Sequence, residues 1–228
     1  MLVGIHQLHY LPWLRYIEKI ARCDAFVVLD TIQYNKNGWQ NRNKIKSTQG
    51  ATLLTVPVSA TLDHTLDEVR IAGNGSWRRK HWLSIEQAYS KAPYFDRYAP
   101  ALRDTYSREW THLNTLNRHM LQFYVAELGI ATLINYSSEL NVPGEATERL
   151  ANLIEAVGGD LYYSGAFALD AYLDADYLAG RGIGLAIQKW VSPVYRQQHG
   201  NFVGDLSVID LMMNCGPDSL DVLLGGTS

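Results

Sequence analysis

Residues 1–30, MLVGIHQLHYLPWLRYIEKIARCDAFVVLD, decide the fold. Leu2-Val-Gly-Ile5 is a short apolar run and reads as a buried strand. Pro12 disfavours a helical residue before it and suits the first position of a helix. Trp13, Ile17 and Ile20 then fall at i, i+4, i+7, which is one helical face. Asp24 precedes Ala25-Phe-Val-Val-Leu29, a second apolar run closed by Asp30. Strand, loop, helix, strand in so short a stretch is a β-α-β unit, with parallel strands and a right-handed crossover.

Outward from this unit the pattern continues. A polar, aromatic-rich loop is expected from Thr31 to Lys46, and a strand over Ala51 to Val58 with Pro57 at its margin. Thr65 to Ile71 reads as a further short strand. Ser76 is placed to cap a helix over Trp77–Tyr89, and two more helices follow over Tyr98–Glu109 and Leu113–Leu128. Beyond them come a strand to Tyr136, an amphipathic helix over Ala146–Val157 and a strand over Asp160–Ser164. A helix over Ala168–Ala179, a strand over Ile183–Trp190 and a helix over Ser207–Asn214 close the pattern. The fold class is therefore α/β, a mostly parallel central sheet flanked by helices with a helical insertion in the middle of the chain. One domain over 1–228 is expected, with a helical subdomain at about 77–128.

Composition narrows the class. In 228 residues, 47% hydrophobic and 19% charged side chains suit a globular chain and exclude a disordered one. No apolar run approaches the roughly 20 residues of a membrane span, and the start has no secretory pattern, so a cytoplasmic protein is expected. Two cysteines, Cys23 and Cys215, exclude a disulfide framework or a Cys-rich zinc site, and no metal site is expected. The formal charge of −3 argues against a dedicated nucleic-acid binder. Charge is uneven, however. Residues 1–50 hold seven Lys/Arg against three Asp/Glu, a net of +4, and the remainder holds 13 against 20, a net of −7. A cationic segment in an acidic chain fits an anionic ligand or a solvated loop.

Four stretches carry candidate chemistry. The first is Ile5-His-Gln-Leu-His-Tyr-Leu-Pro-Trp13, just past a strand end where parallel sheets bind ligands. There His6 is a candidate general base and Gln7, Tyr10 and Trp13 line its surroundings. The second runs from Asp30 to Lys46. Asp30 ends the second strand on the same sheet edge as His6, where a carboxylate orients an imidazole. Tyr34 and Trp39 offer stacking faces, while Gln40, Asn41, Arg42, Asn43 and Lys46 form a donor-rich loop suited to an anionic or polyhydroxyl ligand. The third is Ser164-Gly165, where glycine lets a ligand approach the backbone. The fourth contains Tyr195 and Gln197, as site or turn residues. No P-loop, nucleophile elbow or C-x-x-C occurs, and Gly180-Arg-Gly-Ile-Gly184 lacks the complete dinucleotide pattern.

His6-Gln7, Tyr10-Leu11-Pro12-Trp13, Lys19-Ile20-Ala21-Arg22, Asp30, Gln33-Tyr34 and Trp39-Gln40-Asn41-Arg42-Asn43-Lys44-Ile45-Lys46 resemble the WbqC-like family. Thr55-Val56-Pro57-Val58, Tyr163-Ser164-Gly165, Tyr195-Arg196-Gln197 and Leu206-Ser207-Val208-Ile209-Asp210-Leu211 extend the resemblance over nearly the whole chain. Leu8-His9 departs from it, since the family has Pro-Asn there. The resemblance implies a bacterial biosynthetic transferase of surface-glycan (O-antigen type) or specialised-metabolite pathways.

On that implication the expected reaction transfers an acyl or aminoacyl group to an amine of a sugar or metabolite. His6 is the base, Asp30 its partner and Tyr10 a third catalytic candidate, with Gln40, Arg42 and Lys46 holding an anionic donor. The donor would be a coenzyme A thioester or the phosphopantetheine arm of an acyl carrier protein. One alternative, by fold-level analogy, is an ATP-using nucleotidyl- or adenylate-forming enzyme of nucleotidylyltransferase-like fold, although the H-x-G-H spacing is missing. Another is a non-catalytic carrier-protein or sugar-binding module.

Overall fold

The computed structural model describes residues 1–61, 63–165, 167 and 173–225. The chain forms two compact units, each assembled from several segments. Unit 1 holds Met1–Leu8, Glu18–Ile32 and Ala131–Val191; unit 2 holds His9–Ile17, Gln33–Ile130 and Ser192–Ser228.

Unit 1 is built on a five-stranded sheet. Its strands are β1 (Leu2–Gln7), β2 (Ala25–Leu29), β7 (Leu133–Tyr136), β8 (Leu161–Gly165) and β9 (Gly184–Gln188), in the order β7-β2-β1-β8-β9. All four pairings are parallel. The pairing of β1 with β2 is the β-α-β unit read from the first 30 residues, closed by α1 (Leu14–Ala21). β1 runs two residues past the apolar run, so His6 and Gln7 sit on the strand itself.

Alternation along the strands explains the layers. Val3, Ile5, Ala25 and Val27 face one core, shared with Leu150, Leu153 and Ile154 of the helix α6 (Ala146–Ala156) and with Leu178. Gly4 faces the other way. A Cβ there would lie 2.7 Å from Phe26 Cδ2 and 2.9 Å from Cys23 Sγ, so only glycine lets these two side chains pack against the strand.

In unit 2, β3 (Arg42–Ser47) and β4 (Gly50–Thr55) form an antiparallel hairpin, and β5 (Val58–Ser59) pairs with β6 (Arg70–Ile71). Three expectations are corrected here. The donor-rich stretch expected as a loop through Lys46 becomes a strand from Arg42 onward, because Asn43 and Ile45 alternate into the interior. The strand expected through Val58 breaks after Thr55, ahead of Pro57, which has no N–H for a ladder. The helices α2 (Ser76–Tyr89), α3 (Phe95–Ser107) and α4 (Leu113–Glu127) fall where expected. Ser76 is the first helical residue rather than the cap; Gly75 holds the cap position at φ 79°, and the Ser76 amide donates to Asn74 Oδ1 at 3.2 Å. The helix expected from Ala168 is described only over Ala175–Gly180.

Gly4→Ala is expected to lower stability by about 1–3 kcal/mol, the usual cost of overpacking a filled core. The check is urea unfolding, where the midpoint should fall with the slope unchanged.

Candidate functional site

The strand order fixes where unit 1 can bind a ligand. From β1 the chain proceeds to β2 on one side, whereas β8 and β9 lie on the other, so the winding reverses between β1 and β8. Open parallel sheets bind ligands in the crevice at such a reversal, beyond the C-terminal strand ends. The β1–β8 ladder stops at Gly4 opposite Tyr163, while β1 continues to Gln7 and β8 to Gly165. The two strands therefore part for their last residues.

A cavity of about 180 Å³ lies there, lined by Ile5, His6 and Gln7 of β1, Leu29 of β2, Tyr162, Ser164 and Gly165 of β8, Leu150, Phe167 and Lys19. Four of the residues expected in the site, His6, Gln7, Ser164 and Gly165, thus meet in one pocket. His6 is half-buried, and its Nδ1 lies 3.3 Å from Gln7 O. With Nδ1–H donating to that carbonyl, Nε2 is the basic nitrogen of the ring.

Lys19 was not among the residues expected in the site, and it is the cation of this pocket. It is 4% exposed, and its Nζ donates to Ile5 O at 3.3 Å, just past the end of the β1–β8 ladder. It also stands 5.9 Å from the Tyr162 ring centroid. Burial lowers its pKa from 10.5 to about 8, against the opposing pull of Cys23 and Glu18. Helical spacing gave no signal for it: Arg15, Lys19 and Arg22 fall at i, i+4, i+7, and both arginines are exposed, so the pattern alone places Lys19 on the solvated face.

Asp30 is fully buried at the end of β2, on the same sheet edge as His6. Its carboxylate accepts from Ser137 Oγ (2.9 Å), the Ser138 amide (2.9 Å) and Ser138 Oγ (2.8 Å). These bonds tie β2 to the start of the short helix Ser137–Leu140.

The remaining expected residues belong to unit 2, where the chain's own groups engage their donors. Arg42 donates from Nε to Gly38 O at 3.1 Å and from Nη2 to Asn37 O, closing its own loop. Asn41 Nδ2 donates to Val56 O and Asn43 Nδ2 to Leu11 O, at 2.8 and 2.7 Å. Gln40 Oε1 accepts from the Asn35 amide at 2.8 Å. Lys46 is fully buried and donates to Asn201 O at 2.5 Å. Tyr10 OH bonds His81 Nδ1 at 2.8 Å and Tyr106 OH at 2.5 Å in a buried triad; burial pushes the Tyr10 phenol far up and the His81 imidazole down to about 4. Trp13 stacks edge-on to Trp39 at 5.4 Å, and Tyr34 is buried.

Tyr195 and Gln197 do converge, but on a residue outside the expected set. Asp210 Oδ2 accepts from Tyr195 OH (2.7 Å) and Gln197 Nε2 (2.8 Å), and Oδ1 from Tyr89 OH (2.9 Å). Burial raises the Asp210 pKa, and these hydrogen bonds oppose the rise. Among the described residues no cluster of His, Cys, Asp and Glu is arranged to hold a metal ion, and no helix is long and apolar enough to cross a membrane.

The model of the WbqC-like protein family matches residues 7–222. The uncharacterized protein Rv1507c of Mycobacterium tuberculosis is 35% identical over 227 residues, covering 97% of this chain and 96% of its own length. No solved structure matches.

The depressed Lys19 pKa makes a stability prediction with a definite sign. Between pH 8 and 10.5 the unfolded chain holds the Lys19 proton more tightly than the folded one. This group's contribution therefore makes the fold more stable as pH rises through that window, and its cost is fully present below pH 8. Lys19→Met removes the effect. The stability of the variant relative to the parent should be more favourable at pH 7 than at pH 10.5 by about 3 kcal/mol, from about 1.36 kcal/mol per pKa unit. Denaturant unfolding of both proteins at the two pH values checks this; a difference independent of pH contradicts it.

Proposed function

The chain belongs to the WbqC-like protein family, and we propose that it is a biosynthetic transferase that moves an acyl or aminoacyl group from a thioester donor to an amine. The observation that carries this reading is the meeting of His6, Lys19 and Ser164 in one pocket at the winding reversal of the sheet. Acyl transfer to an amine needs a base to remove the proton from the attacking nitrogen. His6 supplies it, on a strand paired to β2 from Val3 through Gln7, which fixes the imidazole better than a loop would. As the nitrogen attacks the thioester carbonyl, a C–N bond forms and the C–S bond breaks. The amine proton passes to His6 Nε2 and from there to the departing thiolate.

Lys19 is the cation on this pocket's wall, whereas Arg42 and Lys46, expected to hold an anionic donor, have donors engaged by backbone carbonyls. The pocket's size favours this reading over the ATP-using one. Sites for drug-sized ligands run to roughly 300–1,000 Å³, and about 180 Å³ suits a small group at the end of a longer molecule.

The test is release of free thiol from acetyl- and aminoacyl-coenzyme A in the presence of amino sugars and amino acids. Acceptor-dependent release is expected, and His6→Ala should lower turnover by about 100- to 10,000-fold, the usual contribution of a positioned base. Near-parental turnover by folded His6→Ala removes the base assignment. ATP–pyrophosphate exchange without thioester turnover supports the nucleotidyl-transfer reading instead.

A further inference from the structure

We infer that the molecule entering the pocket between β1 and β8 carries a carboxylate, which Lys19 holds as a buried ion pair. This rests on the transferase reading for one point only, that the carboxylate belongs to the amine acceptor, making that acceptor an amino acid or an amino-sugar acid.

The first support is the coordination of Lys19. An ammonium has three donors. Among the described residues, Lys19 makes one hydrogen bond, to Ile5 O at a long 3.3 Å, although the side chain is only 4% exposed. Two N–H groups of a buried cation on the cavity wall are left for a ligand.

The second support is charge. Glu18 is the adjacent carboxylate, but its oxygens are turned to other partners. Oε1 accepts from Arg22 Nε (2.9 Å) and Tyr163 OH (3.4 Å), and Oε2 from Gln188 Nε2 (2.6 Å). No carboxylate pairs with Lys19 within 4.0 Å among the described residues. An unpaired buried charge is costly, and a partner brought in by a ligand relieves that cost.

The third support is the count and shape of the site. Among the described lining residues Lys19 is the single formal cation, so a monoanion balances it and a dianionic phosphate does not. Leu29, Leu150 and Tyr162 give the walls an apolar surface for a short carbon chain, and Ser164 adds a hydroxyl. A carboxylate with a few carbons fits about 180 Å³.

The experiment uses propionate as the probe, propionamide as its neutral counterpart and inorganic phosphate as the competing anion. Binding to the full chain is followed by calorimetry and by thermal shift. Saturable propionate binding is expected, with propionamide at least about tenfold weaker, the lower end of what a hydrogen bond between charged groups contributes. Lys19→Met and, as a second variant, Lys19→Gln should remove the preference for propionate over propionamide. Equal binding of the two probes, tighter binding of phosphate, or an unchanged preference in a folded variant overturns the inference.

The thiol-release assay separates this from the transferase reading. Lys19→Met should raise KM for an amino-acid acceptor at least about tenfold and leave KM for the corresponding amino-acid amide unchanged. Lys19-dependent propionate binding without any transfer keeps the carboxylate site and removes the transferase. Transfer to acids and amides with equal efficiency keeps the transferase and removes the carboxylate site.

Discussion

Much of unit 1 follows from the parting of β1 and β8 after Gly4 and Tyr163. A parallel pair that stays bonded to its ends offers a ligand only its rim. Here β1 remains paired to β2 through Gln7 while it releases β8, so its last three residues are rigid on one side and open on the other. The carbonyl of Ile5, past the end of that ladder, takes its hydrogen bond from Lys19. One geometric event thus opens the cavity, sets His6 on its wall and draws a lysine into the interior.

Unit 2 shows how an apparent ligand-binding sequence serves as internal structure. Asn41, Asn43, Arg42 and Lys46 have the donors a bound anion would want, yet each donates to a backbone carbonyl of the same unit. The reason lies in the irregular chain around them. Leu11 has φ 46°, a left-handed conformation uncommon for leucine, and Asn43 secures its carbonyl. The segment before the helix Val208–Cys215 is held by Tyr195 and Gln197 on Asp210, and by Lys46 on Asn201. Buried backbone without a ladder must find other partners, and amide and ammonium side chains provide them.

This explains which parts were legible in the sequence. The β-α-β unit was readable because apolar runs and a helical period act locally, and the parallel pairing followed from the short crossover. His6, Gln7, Ser164 and Gly165 were readable from a topological rule, being the residues at strand ends. The stretch from Gln40 to Lys46 was read from residue type, and type does not reveal whether a donor faces a ligand or a neighbouring carbonyl. Lys19 and Asp210 were missed for the converse reason. Each is one charged residue inside an amphipathic helix, where the usual place is the solvated face, and only the tertiary packing buries them.

A buried lysine is an expensive way to fill the gap between two strands. A methionine or leucine would satisfy the walls made by Leu29, Leu150 and Tyr162 without desolvating a charge. Breaches of local consistency of this kind are expected where function demands them. Among the described residues the other buried ions are better supplied: Asp30, Asp210 and Glu18 each accept at least three hydrogen bonds, and Lys46 donates to Asn201 O and Gly200 O. Lys19 makes one. Among the described residues the contrast separates ions whose partners complete the structure from Lys19, with donors left for a ligand to engage.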